Sequence, residues 1–258
     1  MKAHPKRSLG QNFLVDPNYR RKVHQAIRGA YFGGPIVEIG PGHGALTEAL
    51  VEFADELILI EKDHLLADEL RTRFISNTKI MVLEADVLEV NPQNILAGKK
   101  ALVVGNLPYN ISSQIFIWAC RYKAFFHRAI FMFQKEMAMR IVAKSDEREF
   151  GPLAVWAQVF GTANKLFDLP PGAFKPKPNV DSSIVSLVFN EQKFDVDAEA
   201  FLVFVRRLFL HRRKQMAGVL KSMGVDPLLV SQYGTVRAEV LSVAQLHEVF
   251  NLCRAFIN

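Results

Sequence analysis

Short apolar runs rich in branched residues recur along most of this chain, at residues 36–39, 57–60, 80–83, 101–104, 129–133, 153–160 and 184–189. Between the first five lie segments of helical length and period, such as 45–53, 64–74 and 111–122. Strands alternating with helices predict an α/β fold, a doubly wound and mainly parallel sheet with ligands at the carboxyl ends of its strands. The last runs come without clear helices between them, which predicts an antiparallel finish to the sheet. After Phe189 the pattern turns purely helical, over 198–210, 212–223, 227–232 and 243–256. A boundary is expected near residue 190, giving domains 1–189 and 190–258.

The chain has 258 residues, half of them hydrophobic and 22% charged, enough for one large core and a small appended domain. No stretch reaches the roughly 18 to 20 unbroken apolar residues of a membrane span, and the basic start runs on into Ser8-Leu9-Gly10-Gln11-Asn12 rather than an apolar signal core. A cytoplasmic protein is expected. Cys120 and Cys253 stand far apart in apolar contexts, and the seven histidines have no HxxxH or HxE spacing, so no disulfide framework and no metal are expected.

The net charge of +6 is uneven. Residues 1–28 carry seven Lys or Arg against Asp16 alone, and the rest of the chain balances at 25 against 25. A second basic run, Arg206, Arg207, Arg212, Arg213 and Lys214, lies in the helical region. Two basic patches flanking a ligand-type core point to a polyanion, and nucleic acid is the economical choice. A membrane surface is disfavoured because the N-terminal segment shows no sustained apolar helical face.

The ligand signals cluster at strand ends. Ile39 leads into Gly40-Pro41-Gly42-His43-Gly44, a glycine-rich turn opening a helix. The spacing is GxGxG, which suits an adenosine-type ligand better than a dinucleotide. Glu61, 21 residues past Gly40, ends the next strand, at the usual offset for a carboxylate that takes ribose hydroxyls. Asp86 ends the strand after that and could accept a hydrogen bond from an adenine amino group. His43 reads as exposed and uninvolved.

Asn106-Leu107-Pro108-Tyr109 closes the fourth strand. The Asn side-chain oxygen and the Leu107 carbonyl, turned outward by Pro108, offer two acceptors to one exocyclic NH2, and Tyr109 adds an aromatic face. Residues 169–183 hold four prolines within nine positions and form a rigid loop with Phe174 at its centre, flanked by Lys175 and Lys177. Phe174 reads either as a buried anchor or as a second aromatic plate.

Together, Gly40 to Gly44, Glu61, Asp86 and Asn106 to Tyr109 resemble the S-adenosylmethionine-dependent methyltransferases. With residues 9–14 and 174–182 the resemblance narrows to the ribosomal RNA small-subunit adenine N6,N6-dimethyltransferases, over residues 6 to about 190 and more loosely beyond. It implies a Rossmann-like, seven-stranded methyltransferase sheet followed by a small all-helical domain that meets RNA or the ribosome. S-adenosylmethionine is the implied cofactor, held by Asn12, Leu14, Gly40, Gly42, Glu61, Asp86 and Asn106, and Asn106, Leu107, Tyr109 and Phe174 are the implied catalytic set. Arg7, Lys175, Lys177, Arg207, Arg212, Arg213 and Lys214 are expected to meet RNA. The expected partners are rRNA and the small ribosomal subunit precursor, with the protein a monomer. A sister branch that modifies large-subunit rRNA typically has Ile at position 107 and Ile-Ser-Thr where this chain has Ile111-Ser112-Ser113. Leu107 and Ser113 therefore favour the small-subunit branch.

Overall fold

The structure, a computed structural model, describes residues 12–190 and 197–256. Arg7 lies outside them. In chain order the elements are β1 (Phe13–Leu14), α1 (Pro17–Ala30), β2 (Pro35–Ile39), α2 (Thr47–Leu50), β3 (Glu56–Glu61), α3 (His64–Arg73), β4 (Ile80–Glu84), α4 (Gln93–Leu96), β5 (Ala101–Asn106), α5 (Ser112–Arg121), β6 (Phe126–Gln134), α6 (Lys135–Val142), α7 (Pro152–Phe160), β7 (Gly161–Leu169), β8 (Phe174–Lys175), β9 (Ser182–Phe189), α8 (Ala198–Leu210), α9 (Met216–Ser222) and α10 (Val243–Cys253). Short 3-10 turns fill several connections.

Seven strands form one sheet in the order β4-β3-β2-β5-β6-β9-β7, and β1 pairs with β8 in a separate two-stranded ribbon. The strands β4, β3, β2, β5 and β6 run parallel, and β9 is antiparallel to β6. From β2 the chain builds outward one way through β3 and β4, then returns to build the other way through β5 and β6. That reversal opens a crevice beyond the carboxyl ends of β2 and β5, where doubly wound sheets take ligands. Every residue of β2 is buried and all of β5 but Asn106, as expected of central strands covered on both faces.

Two readings of the sequence need correcting. Residues 153–160 form helix α7, not a strand: Pro152 occupies its first turn, and its side chains are buried nearly all round. A short helix buried on every side loses the period that would reveal it. The strand is β7, which follows at the sheet edge and buries only its two end residues. The N-terminal region does hold an amphipathic helix, α1, in which Asp16 accepts from the Asn18 and Tyr19 N–H groups, Pro17 opens the first turn, and Val23, Ile27 and Ala30 are buried.

The chain divides into two compact units, Met1–Ala138 with Ala163–Phe189, and Met139–Thr162 with Asn190–Asn258. A single cut at 190 therefore misses a segment: α7 belongs with the C-terminal helices and packs on α8, with Phe150 edge-on to Phe209 at 5.9 Å between ring centroids. In that unit Arg212 donates to Glu239 and to the Arg148 carbonyl. Among the described residues no helix is long and apolar enough to cross a membrane.

Gly105 sets how the end of β5 sits on β2. A Cβ there would lie 2.7 Å from Leu107 Cδ2 and 2.8 Å from the Ile39 carbonyl oxygen, and the second neighbour is backbone that cannot swing aside. Gly105→Ala is expected to cost about 1–3 kcal/mol in urea unfolding. Gly29→Ala, in α1 with open space around it, is expected to be neutral or stabilising by up to about 1 kcal/mol.

Candidate active site

The Gly40 to Gly44 turn leaves β2 with left-handed backbone at all three glycines. It is fastened from β3: the Gly40 N–H donates to the Ile60 carbonyl at 2.9 Å, and the Gly42 N–H donates to Glu61 Oε2 at 3.1 Å. Glu61 Oε1 accepts from the Asp63 N–H at 2.9 Å. The buried Glu61 thus holds its own strand end and the glycine turn together, and burial pushes its carboxyl up against the pull of those N–H groups. Gly42 serves packing as well as any ligand, since an added Cβ would sit 2.7 Å from the Phe13 ring. Gly40 faces roomier space, its nearest neighbour being the Asn106 carbonyl oxygen at 3.9 Å from such a Cβ. His43 is held: its Nδ1 lies 3.1 Å from Glu69, and its ring meets Phe13 at 4.8 Å.

A second buried acid lies one strand over from Glu61. Glu38, next to last in β2, is 1% exposed and accepts from Thr47 Oγ1 at 2.7 Å. Burial raises its carboxyl to about 8 against the opposing Thr47 bond, and the Glu61 charge adds to the rise. An acidic residue inside an otherwise apolar central strand was the signal.

Asp86 follows β4 and caps a 3-10 turn, its Oδ1 accepting from the Leu88 N–H at 3.0 Å and its Oδ2 from Lys62 at 2.6 Å. Partial burial opposes its ionisation, but Lys62 and Leu88 outweigh that and keep the carboxyl below its ordinary range.

Asn106 ends β5 with its side chain half-buried, and Nδ2 donates to the backbone carbonyl of Asn12 at 2.8 Å. This fixes which end of the amide is which, leaving Oδ1 as the acceptor. Among the described residues neither that oxygen nor the Leu107 carbonyl meets a protein donor. The Leu107 side chain is 1% exposed and lies against Gly105. Tyr109 shares a 2.6 Å hydrogen bond between its hydroxyl and Ser182 Oγ.

The ribbon β1–β8 joins these parts. Leu14 pairs with Phe174, the Val15 N–H donates to the Ala173 carbonyl at 2.9 Å, and Phe13 covers Gly42. That register corrects the reading of Phe174 as a free plate on a loop: at 4% exposure its ring belongs to the core cluster with Leu14, Leu169 and Ala173. Leu14 is equally buried and acts through packing. Lys175 and Lys177 are exposed beside them.

The basic patches resolve into engaged and open cations. On α1, Arg20 donates to the Ala45 carbonyl and to Glu48, and Arg28 lies over Phe53. Arg212 is tied down by Glu239 and the Arg148 carbonyl, so its charge is already paired although the side chain still meets solvent. Arg207, Arg213 and Lys214 are exposed.

The family model for ribosomal RNA adenine dimethylases matches residues 3–254. The chain belongs to that family. It is 40% identical to ribosomal RNA small subunit methyltransferase A of Chlorobium chlorochromatii over 96% of this chain and 94% of that one, and 39% identical to the protein of the same name in Acidobacterium capsulatum over 93% and 88%. Among solved structures, a dimethyladenosine transferase from Plasmodium falciparum superposes with a TM-score of 0.79 at 23% identity, covering 93% and 97% of the two chains. The 23S rRNA methyltransferase ErmE gives 0.68 at 24%, covering 93% and 99%. At those identities the two structures speak for the Rossmann-like methyltransferase fold.

Glu38 also makes stability depend on pH. The folded state favours the neutral acid, so its contribution is full below pH 4.5 and declines as pH rises towards about 8. Glu38→Gln keeps an acceptor for Thr47 without the ionisation. The variant should hold its melting temperature over about pH 5 to 8 where the parent's falls, as read by circular dichroism.

Proposed function

We propose that this chain transfers methyl groups from S-adenosylmethionine to N6 of two adjacent adenosines in a small-subunit (16S) rRNA hairpin, giving N6,N6-dimethyladenosine during ribosome assembly. The observation that carries this is a pair of acceptors, Asn106 Oδ1 and the Leu107 carbonyl, that meet no protein donor among the described residues, with the Asn106 amide oriented by Asn12 and the Tyr109 ring two residues past Leu107. Family membership and small-subunit relatives near 40% identity support it. A large-subunit target is disfavoured by Leu107 and Ser113. A non-catalytic assembly factor would have no use for the oriented Asn106 amide.

The residues fit the cofactor. Gly40 leaves space beside Asn106, the glycine turn is held open by Glu61, and Glu61 and Asp86 carry carboxylate lone pairs at neighbouring strand ends for ribose hydroxyls and an adenine amino group. Asn12, Leu14 and Gly42 shape the same pocket through the β1–β8 ribbon. When bound, S-adenosylmethionine supplies an electrophilic methyl group on sulfur.

The adenine N6 lone pair is delocalised into the ring and is a poor nucleophile until that conjugation loosens. Asn106 Oδ1 and the Leu107 carbonyl accept the two amino hydrogens and favour a pyramidal nitrogen. Positioning and charge placement of this kind can supply several kcal/mol without a titrating base. Tyr109 stacks on the extruded base, an interaction worth about 1–3 kcal/mol. Phe174 backs the site from the core and would meet the base only through its exposed edge. Proton loss follows transfer, because the N6 cation is strongly acidic. Lys175, Lys177, Arg207, Arg213 and Lys214 take RNA phosphates, and the C-terminal helices act as the ribosome-facing domain of a cytoplasmic protein.

Asn106→Asp replaces the Nδ2 donor by an oxygen that repels the Asn12 carbonyl. It should lower methyl transfer about 10²–10³-fold. Calorimetry should still detect S-adenosylmethionine binding, and full activity in this variant would remove the assignment. Arg213→Glu with Lys214→Glu should reduce the slope of log K against log salt for RNA binding by about 1 to 2. Arg212→Glu should instead lower stability through loss of the Glu239 and Arg148 contacts.

A further inference from the structure

Tyr109 is held at two points that the reaction does not require. Its hydroxyl shares a 2.6 Å hydrogen bond with Ser182 Oγ, and its carbonyl accepts from Ser112 Oγ at 3.1 Å. Both serines are buried, Ser182 at 0% and Ser112 at 1% exposure. Ser182 opens β9, where its backbone is registered against Gln134 of β6, so its hydroxyl is a fixed point. Ser112 sits in the first turn of α5, and its Oγ also lies 3.1 Å from Met137 Sδ. Successive side chains of a strand point to opposite faces, and Ser183 correspondingly donates to Asp168 at 2.7 Å while Ser182 meets Tyr109. A hydroxyl buried in a strand needs a partner, and here the partner is the ring expected to stack on the target base.

We propose that Ser182 is a positioning residue for catalysis: by gripping the Tyr109 hydroxyl it sets the plane of the ring before RNA arrives, while Ser112 fixes the backbone that carries it. This rests on the stacking role of Tyr109 given above. It also assigns the hydroxyl. With its oxygen committed to a buried serine, Tyr109 offers the base a ring face and no proton acceptor. Burial raises the phenol above its ordinary range, so the group stays protonated at neutral pH. A ring left free to turn about its χ angles would have to be ordered during each encounter, and that cost would fall on transfer to rRNA rather than on cofactor binding.

The test compares Ser182→Ala, Tyr109→Phe and the double variant in the full-length protein. Three quantities are measured: steady-state methylation of the small-subunit rRNA particle, the S-adenosylmethionine dissociation constant, and quenching of 2-aminopurine placed at the target adenine. Each single variant should lose roughly 5–20-fold in kcat/KM for RNA and show weaker quenching, and the double variant should be no worse than the singles. The cofactor constant and the pH profile should not move. Tyr109→Phe removes one hydroxyl and leaves the apolar packing intact, so it reports even if Ser182→Ala is poorly folded, and Ser182→Thr should restore part of the loss. Additive losses in the double variant, or wild-type rates in both singles, would overturn the proposal. Tyr109→Ala separates the two ideas: if it is inactive while both singles are normal, only the positioning role fails. If Tyr109→Ala is fully active, the stacking role itself is wrong.

Discussion

A single hydrogen bond, Asn106 Nδ2 to the Asn12 carbonyl at 2.8 Å, gives this site its polarity. A side-chain amide is nearly symmetric in shape, so its two ends are told apart by their partners. If the oxygen faced Asn12, two lone pairs would be opposed and the site would present a donor in place of an acceptor. The carbonyl that prevents this comes from outside the main sheet. It sits immediately before β1, which is anchored by its pairing with β8 and by Phe13 over Gly42. The orientation of one amide therefore depends on the N-terminal segment, the proline-rich loop and the glycine turn being in place together.

The acid pair Glu38 and Glu61 shows a similar economy. Both are buried at the central strands, yet they do different work because their partners differ. Glu61 takes two backbone N–H groups, which favour the anion against the cost of burial. Glu38 has one hydroxyl donor and a neighbouring negative charge, and it stays neutral near physiological pH. Two buried carboxylates side by side would both be costly as anions. Keeping one protonated removes the like-charge repulsion that would add to the cost of ionising the other.

Much of this was legible in the sequence, for identifiable reasons. The buried parallel strands announce themselves as continuous branched runs, and Gly40, Glu61, Asp86 and Asn106 fall at or just past their carboxyl ends, the side on which doubly wound sheets take ligands. What stayed hidden depends on contacts between distant segments. The Asn12 contribution is a backbone carbonyl, which no side-chain pattern encodes. Phe174 is buried through a register with Leu14 that is 160 residues away in sequence. Arg212 is indistinguishable from Arg213 as a letter, and only Glu239 and the Arg148 carbonyl separate them. Helix α7 reads as a strand because uniform burial erases its period, whereas α1 carries readable signals in Asp16-Pro17 and in the Val23 to Ile27 spacing.

Adding two methyl groups at one nitrogen asks for opposite properties from one site. With Asn106 Oδ1 and the Leu107 carbonyl in the acceptor roles proposed above, the first transfer benefits from both being fixed, since each amino hydrogen then has a partner. Before the second transfer N6 keeps one hydrogen, so one acceptor must give up its partner and face a methyl group instead. The two oxygens here are unequally able to yield. The Leu107 carbonyl is backbone, set by Pro108 and by a side chain packed on Gly105, and cannot turn away. Asn106 Oδ1 is on a side chain, but its amide is tethered through Nδ2, so it too can only pivot about that bond. If Tyr109 stacks on the base as proposed, room for the methyl comes from the base sliding across that ring face. A stacked aromatic contact tolerates in-plane shifts far better than a hydrogen bond does, which makes a ring held in a constant plane the suitable partner for two successive reactions.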